Sequence, residues 1–446
     1  MNDNKSTISG KVKRYAKVSS KITSVTARVV GRKIIGNNDI NKNADIILNA
    51  LGGLKGPLMK VAQLLSTIPD AIPKEYAEKL QTLQSEAPSM GWFFVKRRMV
   101  GELGYEWLNK FETFDKKAVK AASLGQVHKA KANGINVACK LQYPDMISIV
   151  DADLKQLKII FSLYGTWDKT IKTKDIYEEL TDRLKEELDY KREQKNMILF
   201  YEILKNEKYI KIPKPIKKLS TDKLLTMTWL EGDSLMNWKK SNSEIKNHIA
   251  LTLFNAWYIP FYKYGIIHGD PHPGNYQIND NNSNKPNINL LDFGCIRVFS
   301  PKFVKAVIDL YIAMRDNNQK LAIKAYKAWG FNNLTKELIA VLNVWATYIY
   351  GPLLVNKKRY IQNPNAVKNG KEIASNVYKE LKKLGGISPP KEFVLIDRAA
   401  VGLGSVFMHL NAQLNWHKII ENLIEGFDEK LLESKQKEIL KKTNIT

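Results

Sequence analysis

The stretch that decides the fold of this chain is His268-Gly269-Asp270-Pro271-His272-Pro273-Gly274-Asn275, which is followed by Asp292-Phe293-Gly294. Asp270 and Asn275 are five positions apart, and Asp292 follows Asn275 after 17 positions. The Pro and Gly residues exclude a continuous helix here and predict loops between short strands. The distance between the two segments is that of one β-hairpin.

The spacing of Asp270 and Asn275 is that of the protein-kinase catalytic loop H-R-D-x-x-x-x-N, which is paired with a D-F-G tripeptide. Phosphoryl transfer requires oxygen ligands for Mg²⁺ and a carboxylate near the nucleophile. We therefore predict that Asn275 and Asp292 bind the metal and that Asp270 orients or deprotonates an acceptor hydroxyl or a water. A D-F-G tripeptide alone is an ordinary turn, so the combined spacing carries this prediction.

The two histidines of the loop, His268 and His272, are four positions apart, as in some zinc sites. Such a pair needs a continuous helix to bring both rings to one face. Pro271 and Pro273 exclude that helix, so we predict no zinc site and a structural role for His268.

Composition limits the class of partner. The 446 residues are 44% hydrophobic with a formal net charge of +25, which indicates a globular protein of two or three packed units with an acidic partner. Nucleic acid, an anionic membrane and polyphosphate all fit this charge. No recognition helix, aromatic RNA-binding motif or zinc-finger spacing is visible, so nucleic acid is the least favoured. Two cysteines, Cys139 and Cys295, exclude a disulfide framework.

Residues 1–43 form a basic segment with ten Lys or Arg residues and two Asp. Its apolar residues recur at helical spacing, which fits a helix lying on an anionic membrane surface. A flexible basic tail and an organelle-targeting segment fit equally well. The uncharged run 338–356 is long enough to span a bilayer, but polar residues, Gly and Pro interrupt it, so we predict a buried helix.

Residues 44–116 are predicted to be a helical extension. Within it Lys60 and Gln63 are three positions apart and share a helix face, so both can point into one polar site.

Residues 117–230 are predicted to be a smaller lobe that begins with short strands. Ala121, Ala122 and Ser123 occupy the place of a phosphate-covering loop, where small residues let backbone N–H groups approach phosphate oxygens. Lys140 ends the sequence Val137-Ala138-Cys139-Lys140, which matches the strand motif V-A-I-K whose lysine pairs the α and β phosphates.

A single long helix is predicted at 175–205, with Glu187, Asp189 and Glu193 in its acidic stretch. Asp189 and Glu193 share a face, whereas Glu187 lies far around the helix, so one helix offers carboxylates to two lysines. A solvated charged face is the alternative. A strand pair at 212–216 and 224–229 leads to a hinge at Glu231, whose backbone can read an adenine ring. Residues 231–446 are predicted to be a mostly helical larger lobe.

These segments together resemble the UbiB/ADCK/AarF family of atypical protein-kinase-like proteins over residues 45–410. The loop from His268 to Asn275 matches the family's H-x-D-P-H-P-G-N. Its K-x-G-Q motif corresponds to Lys60-Val61-Ala62-Gln63, where Ala62 stands in place of Gly. Its alanine-rich loop, strand lysine, E-x-D motif and helix-C glutamate correspond to Ala121-Ala122-Ser123, Lys140, Glu187 with Asp189, and Glu193.

The resemblance implies an α+β, two-lobed protein-kinase-like fold with a helical N-terminal extension. It also implies that the protein binds ATP and Mg²⁺. It implies that Lys60 and Gln63 fold over the active site, that Lys60 pairs with Glu187 and Asp189, and that Lys140 pairs with Glu193. Members are associated with ubiquinone and isoprenoid-lipid metabolism. The expected function is a kinase-like ATPase that binds Mg-ATP and supports ubiquinone biosynthesis or isoprenoid-lipid handling at a membrane surface. The expected partners are the nucleotide and either the anionic membrane surface or lipid-quinone biosynthesis proteins.

The expected location is cytoplasmic and peripheral at the inner membrane face, or the mitochondrial matrix in a eukaryote. The alternatives are a phosphotransferase acting on a protein or small-molecule hydroxyl, and a nucleotide-binding scaffold without turnover.

Overall fold

The structure is a computed structural model that describes residues 89–121, 124–151, 154–155, 158, 173–280, 285–331, 333–361, 376–377, 379–381, 383–384 and 391–445. It forms two compact units. Their described residues come from the ranges 1–190 and 218–226 for unit 1, and 191–217 and 227–446 for unit 2. The predicted domain boundaries stay predictions. Residues 1–43, Lys60 and Gln63 lie outside the described residues.

The described α-helices are α1 (Trp92–Leu103), α2 (Thr173–Leu188), α3 (Tyr190–Leu204), α4 (Ser243–Tyr264), α5 (Pro301–Arg315), α6 (Gln319–Ala328), α7 (Lys336–Tyr350), α8 (Lys391–Leu410), α9 (Trp416–Ile424) and α10 (Glu429–Lys442). The described strands are β1 (Thr113–Phe114), β2 (Lys120–Ala121), β3 (Gly125–Ala132), β4 (Ile135–Gln142), β5 (Ile210–Lys211), β6 (Leu224–Thr228), β7 (Asp233–Ser234), β8 (Ile266–His268), β9 (Tyr276–Asn279), β10 (Asn287–Leu290), β11 (Ile296–Val298), β12 (Arg359–Tyr360) and β13 (Gln413–Leu414).

A five-stranded sheet is the frame of unit 1. Its order is β1-β3-β4-β6, with β2 also paired to β3. The β3–β4 hairpin turns at Asn133 and Gly134, which both have positive φ, and this is the conformation that the favoured two-residue turn requires. Val137, Cys139 and Leu141 are fully buried at alternate positions of β4. The predicted lysine strand is therefore confirmed.

The helix predicted over residues 175–205 is wrong in one respect, because the chain breaks at Asp189. α2 ends at Leu188 and α3 begins at Tyr190. The Leu188 carbonyl accepts a hydrogen bond from Gln142 Nε2 at 3.0 Å, a partner supplied by β4. The distant glutamine thus holds a carbonyl at the end of α2, a contact that local periodicity does not encode.

The core of unit 2 is helical and aromatic, and α4 is its longest described helix. Asn242 caps α4 by accepting from the Ile245 N–H at 2.9 Å, and Gly265 ends it in the left-handed conformation with φ 67°. Trp257, Phe254 and Trp416 are almost completely buried. The chain passes from α4 through Gly265 directly into β8.

Three small sheets complete unit 2. One has the order β5-β10-β9-β7, and the pairs β8–β11 and β12–β13 are separate. The strand predicted at 212–216 is reduced to a single bridge between Pro215 and Met227, because the preceding residues of β5 pair with β10 instead. α8 ends at Leu410, and Gln413–Leu414 forms β13 shortly after it.

The uncharged run 338–356 lies mostly in α7, as predicted. Leu338, Leu342 and Trp345 are buried on one side of this helix, whereas Val344 is 54% exposed. Across the described part of the chain, no helix combines the length and the apolar character that crossing a bilayer requires.

Candidate active site

Two antiparallel strand pairs hold the loops that contain Asp270 and Asp292. β8 pairs with β11 and β9 pairs with β10, so each loop leaves one pair and enters the other. The Gly269 N–H donates to the Cys295 carbonyl at 2.6 Å, and the Leu291 N–H donates to the Asn275 carbonyl at 3.1 Å. Asp292 therefore follows directly after the residue that is bonded to Asn275. This is the hairpin that the sequence spacing predicts.

The side chain of Asn275 is bound to Asp270. Its Nδ2 donates to Asp270 Oδ2 at 2.9 Å and to the Asp270 carbonyl at 3.2 Å. Both donated bonds go to one residue, so the amide orientation is fixed, and Oδ1 is the atom that a metal ion would meet. Asp270 Oδ1 accepts the His272 N–H at 3.2 Å, which holds the carboxylate within its own loop.

His268 connects the two loops. The Asp270 N–H donates to its Nδ1 at 3.2 Å, so Nδ1 carries no proton, and Nε2–H donates to the Asp292 carbonyl. His272 acts within its own loop, where its Nδ1 accepts the Gly274 N–H at 3.0 Å. These bonds agree with the structural role predicted for His268.

The Asp292-Phe293-Gly294 loop is held from α3. Asp292 Oδ1 accepts the Gly294 N–H at 2.9 Å, which forms a tight turn. Asn196 Nδ2 donates to the Phe293 carbonyl at 2.9 Å, and the Phe200 ring lies 5.5 Å from that of Phe293. Sequence reasoning missed both residues. Asn196 and Phe200 are three and seven positions after Glu193, so they share a face of α3 with this predicted site residue. That helical spacing was the signal by which the sequence could have identified them.

The candidate catalytic loop, residues 268–275, is also supported by α4 and α8. Trp257 of α4 packs on His268 with ring centroids 5.4 Å apart. A Cβ atom at Gly402 of α8 would lie 2.3 Å from Pro271 Cγ, so only glycine permits this approach. No local pattern in the sequence points to Gly402.

The predicted hinge residue Glu231 offers its carbonyl to other groups. Asn279 Nδ2 donates to this oxygen at 2.6 Å and Asn289 Nδ2 donates at 2.9 Å. Both acceptor positions of the Glu231 carbonyl are used. Its role in binding an adenine ring stays a prediction, and it would have to use another backbone group.

In unit 1, Lys140 lies near the end of β4 and projects over an aromatic ring. Its Nζ is 5.3 Å from the centroid of Tyr190, a cation–π contact. A Cβ atom at Gly125, where β3 begins, would lie 2.9 Å from the Tyr190 hydroxyl and 2.4 Å from the Leu141 carbonyl. Lys140, Tyr190 and the start of β3 are thus close-packed. Ala121 ends β2, whereas Ala122 and Ser123 lie outside the described residues.

The predicted carboxylates occupy different places. Glu187 is half-buried near the end of α2, and Asp189 is exposed at the break between the helices. Glu193 is 2% exposed in the first turn of α3. The pairing of Glu193 with Lys140, and that of Lys60 with Glu187 and Asp189, stay predictions.

The chemistry of the donor set suits magnesium. Asn275 offers an amide oxygen and Asp292 a carboxylate, both of which are hard ligands of the kind that Mg²⁺ prefers. Among the described residues, no cluster of three or more His, Cys, Asp and Glu side chains has the arrangement of a metal site. A site of one amide and one carboxylate is left incomplete by the protein, which is typical of Mg²⁺ held jointly by protein and phosphate.

The paired loops and the lysine strand define a protein of the kinase-like fold class, and comparison with known proteins agrees. The chain belongs to the ABC1 atypical kinase-like family, whose sequence profile matches residues 82–326, more than half of the chain. The family resemblance and the kinase-like α+β fold expected from the sequence are therefore confirmed.

Several named proteins are similar to this chain. The mitochondrial atypical kinase COQ8 of Saccharomyces cerevisiae is 31% identical over 280 residues, which cover 62% of this chain and 55% of that protein. The mitochondrial atypical kinase coq-8 of Caenorhabditis elegans is 26% identical over 396 residues, which cover 86% of this chain and 52% of that protein. The chain thus spans about half the length of these relatives.

A solved structure shares the fold. It is Rv3197 from Mycobacterium tuberculosis in complex with erythromycin, with a TM-score of 0.60 and 25% identity. The match covers 89% of this chain and 99% of that protein. The likeness extends well beyond the profile match at residues 82–326.

Proposed function

We propose that this protein binds Mg-ATP and acts as an atypical kinase-like ATPase that supports ubiquinone biosynthesis or isoprenoid-lipid handling at a membrane surface. Family membership and similarity to the COQ8 proteins support the kinase-like class. The net charge of +25 and the basic segment 1–43 support an anionic membrane surface as a partner.

The single observation that carries the proposal is the bond between Asn275 and Asp270. An amide whose nitrogen donates to a carboxylate fixes the orientation of that carboxylate and directs its own oxygen elsewhere. In the proposed mechanism Asn275 and Asp292 would hold Mg²⁺, which would neutralise charge on the phosphates. Asp270 orients a water or accepts a proton from it. His268 keeps the two loops at a fixed separation.

In unit 1, Lys140 would bind phosphate oxygens, and Glu193 would hold the lysine. The small residues Ala121, Ala122 and Ser123 let backbone N–H groups approach the phosphates. Glu187 and Asp189 would bind Lys60, which with Gln63 is expected to cover the site. Their combined effect excludes a large protein acceptor, which favours water as the nucleophile.

The experiment is phosphate release from Mg-ATP by the purified chain beside its Asp292→Asn variant. Asp316→Asn is the matched control, since Asp316 is an exposed residue paired with Arg315 at 2.8 Å. We expect turnover in the wild type and the control, with a fall of at least about tenfold in Asp292→Asn and in Lys140→Ala. Equal turnover in all four proteins would refute the assignment.

The remaining alternatives separate in the same assay. A phosphotransferase would give a phosphorylated protein or small molecule, with phosphate release that depends on that acceptor. A scaffold would bind Mg-ATP without turnover. Vesicles of anionic lipid test the membrane partner, because we expect them to raise turnover and neutral vesicles to leave it unchanged.

The predicted role of Lys60 has its own control. Lys60→Ala should change turnover while the melting temperature stays the same, because a residue that covers the site contributes to selectivity more than to the core. A large fall in melting temperature would identify Lys60 as a structural residue instead.

A further inference from the structure

Unit 2 contains a cavity away from the catalytic loop. Its volume is about 110 Å³, and its walls are mostly aromatic. α4 contributes Phe254, Tyr258 and Tyr262 to the wall, α7 contributes Trp345 and Ala346, and other helices complete it. Engineered cavities of about 150 Å³ with apolar walls stay dry and bind benzene. A cavity of this size and lining therefore suits a small apolar group.

Two phenol groups give the cavity a polar feature. Burial raises the pKa of Tyr258 and of Tyr262, so both hydroxyls stay protonated and can donate. Neither hydroxyl has a hydrogen bond within the described part of the chain. Tyr258 keeps accessible surface although it lies deep in unit 2, and the cavity provides the space that this surface faces. A hydroxyl that faces a cavity and is not bonded to a described residue is able to donate to an acceptor on a bound ligand.

The helices that form the cavity also touch the catalytic loop. On α4, Tyr258 faces the cavity, while the adjacent Trp257 packs on His268. On α8, Ala400 lines the cavity, while Gly402 contacts Pro271. A ligand that shifts either helix by a few tenths of an ångström would move a residue packed against the loop, because close-packed interiors transmit strain.

We propose that this cavity is a regulatory site for a compact, neutral, apolar ligand that carries one hydrogen-bond acceptor. The apolar part of the ligand occupies the aromatic walls, and the acceptor receives a hydrogen bond from Tyr258 or Tyr262. Binding alters the mobility of the catalytic loop through α4 and α8. Ligand binding at this cavity requires no nucleotide, so it can be tested independently of the proposed ATPase activity.

The test uses two probes of similar size, ethylbenzene and acetophenone, which differ by one carbonyl oxygen. Their affinities for the full chain are measured by NMR titration without nucleotide. Hydrogen exchange of residues 268–275 is measured with and without saturating acetophenone. We expect both probes to bind, acetophenone to bind more tightly, and exchange in the loop to change by at least about twofold.

Two matched variants locate the site. Ala346→Leu adds carbon atoms to the cavity wall, whereas Val344→Leu adds one to the exposed side of the same helix. Ala346→Leu should weaken both probes at least about tenfold, and Val344→Leu should leave both affinities unchanged. If both probes bind a folded Ala346→Leu protein normally, the ligand site lies elsewhere and the proposal is overturned.

The double variant Tyr258→Phe with Tyr262→Phe tests the acceptor without changing ring volume, and it decides the matter if Ala346→Leu does not fold. We expect it to weaken acetophenone about three- to tenfold, the worth of one hydrogen bond, and to leave ethylbenzene unaffected. Equal effects on both probes, or none on either, would overturn the recognition of an acceptor. Failure of both probes to bind the wild type would overturn the site, and unchanged exchange at saturation would overturn its regulatory role.

Discussion

The Asn275 amide and the Asp270 carboxylate form one hydrogen-bonded pair, with Nδ2 and Oδ2 separated by 2.9 Å. A second bond from the same nitrogen reaches the Asp270 carbonyl at 3.2 Å. The pair fixes two functional atoms at once: the carboxylate that would face a nucleophile and the amide oxygen that would face a metal. Loss of the amide should therefore affect both metal affinity and turnover.

We expect Asn275→Ala to lower Mg²⁺ affinity and ATP turnover by about 10- to 100-fold, the usual loss when a metal ligand or its orienting partner is removed. Magnesium titration of turnover measures both quantities. Asn356→Ala is the control, because Asn356 is exposed and shares only a surface amide contact of 2.8 Å with Asn415. An unchanged magnesium dependence in Asn275→Ala would contradict the assigned role.

Two glycine substitutions, one in α8 and one in α1, test whether α8 supports the candidate catalytic loop. Alanine normally stabilises a helix by about 0.5–1 kcal/mol relative to glycine. Gly402→Ala should do the opposite, because its Cβ would lie 2.3 Å from Pro271 Cγ and must displace the helix or the loop. We expect Gly402→Ala to reduce both the free energy of unfolding, by about 1–3 kcal/mol, and turnover.

Gly101 of α1 is the matched control, because nothing lies within 4 Å of its Cβ position. Gly101→Ala should be stabilising or neutral, with unchanged turnover. Chemical denaturation of the two variants gives the comparison. If both substitutions stabilise the protein equally, Gly402 does not determine the position of Pro271.

The two loops that contain Asp270 and Asp292 were predictable because the sequence information that determines them is local. The spacing of Asn275 and Asp292 fits a hairpin, and the structure contains β9 and β10 in antiparallel register between them. α7 was predictable for the same reason, since its apolar run and its Thr335 cap both lie within one segment. Helical period and turn chemistry are sufficient where neighbours in sequence supply the contacts.

The remaining features depend on distant partners. The break at Asp189 involves Gln142 of β4, which bonds the Leu188 carbonyl from 46 positions away. Asn196 bonds Phe293 across 97 positions, and Gly402 meets Pro271 from another helix. A single sequence contains these residues but not their pairing. The position of Glu193, one helical turn before Asn196, was the nearest available indication.

α10 should stabilise the chain segment that leads into the candidate catalytic loop. Gln436 of α10 is buried, and its Nε2 donates to the Tyr264 carbonyl at 2.8 Å and to the Phe299 carbonyl at 2.9 Å. Gln436→Leu keeps the side-chain size but removes both donated bonds. We expect a loss of about 1–3 kcal/mol in the free energy of unfolding, because one buried and one partly buried carbonyl lose their donor.

Glu438→Leu is the control for a leucine substitution on the same helix, since Glu438 is exposed. It should change the free energy of unfolding by no more than about 0.5 kcal/mol. Denaturant unfolding of the two variants measures the difference. Equal losses in both would show that the helix tolerates leucine poorly in general and that the Gln436 bonds contribute little.

The stability of unit 1 should depend on pH through His128, which is fully buried in β3. Its Nδ1 contacts the Asp115 carbonyl at 2.7 Å, and its Nε2 contacts Gln126 Nε2 at 2.7 Å. A glutamine nitrogen can only donate, so Nε2 of His128 accepts and the ring is neutral. Burial lowers the pKa of His128, and the Asp115 carbonyl opposes this shift.

Because the folded pKa lies below the unfolded value of about 6.5, the unfolded chain binds the proton more readily. The contribution of neutral His128 to the free energy of unfolding should be fully present above that pH. It should be lost as pH decreases toward the folded pKa, by up to about 1.4 kcal/mol per pH unit. Hydrogen exchange of β3 and β4 amides between pH 7.5 and 5.5, corrected for intrinsic rates, measures this loss of stability.

His128→Gln should flatten the pH dependence of that exchange. His248→Gln alters a histidine of unit 2 whose pKa burial also lowers, and it should leave the exchange of β3 and β4 unchanged. A pH dependence that survives in His128→Gln would assign the titration to another group.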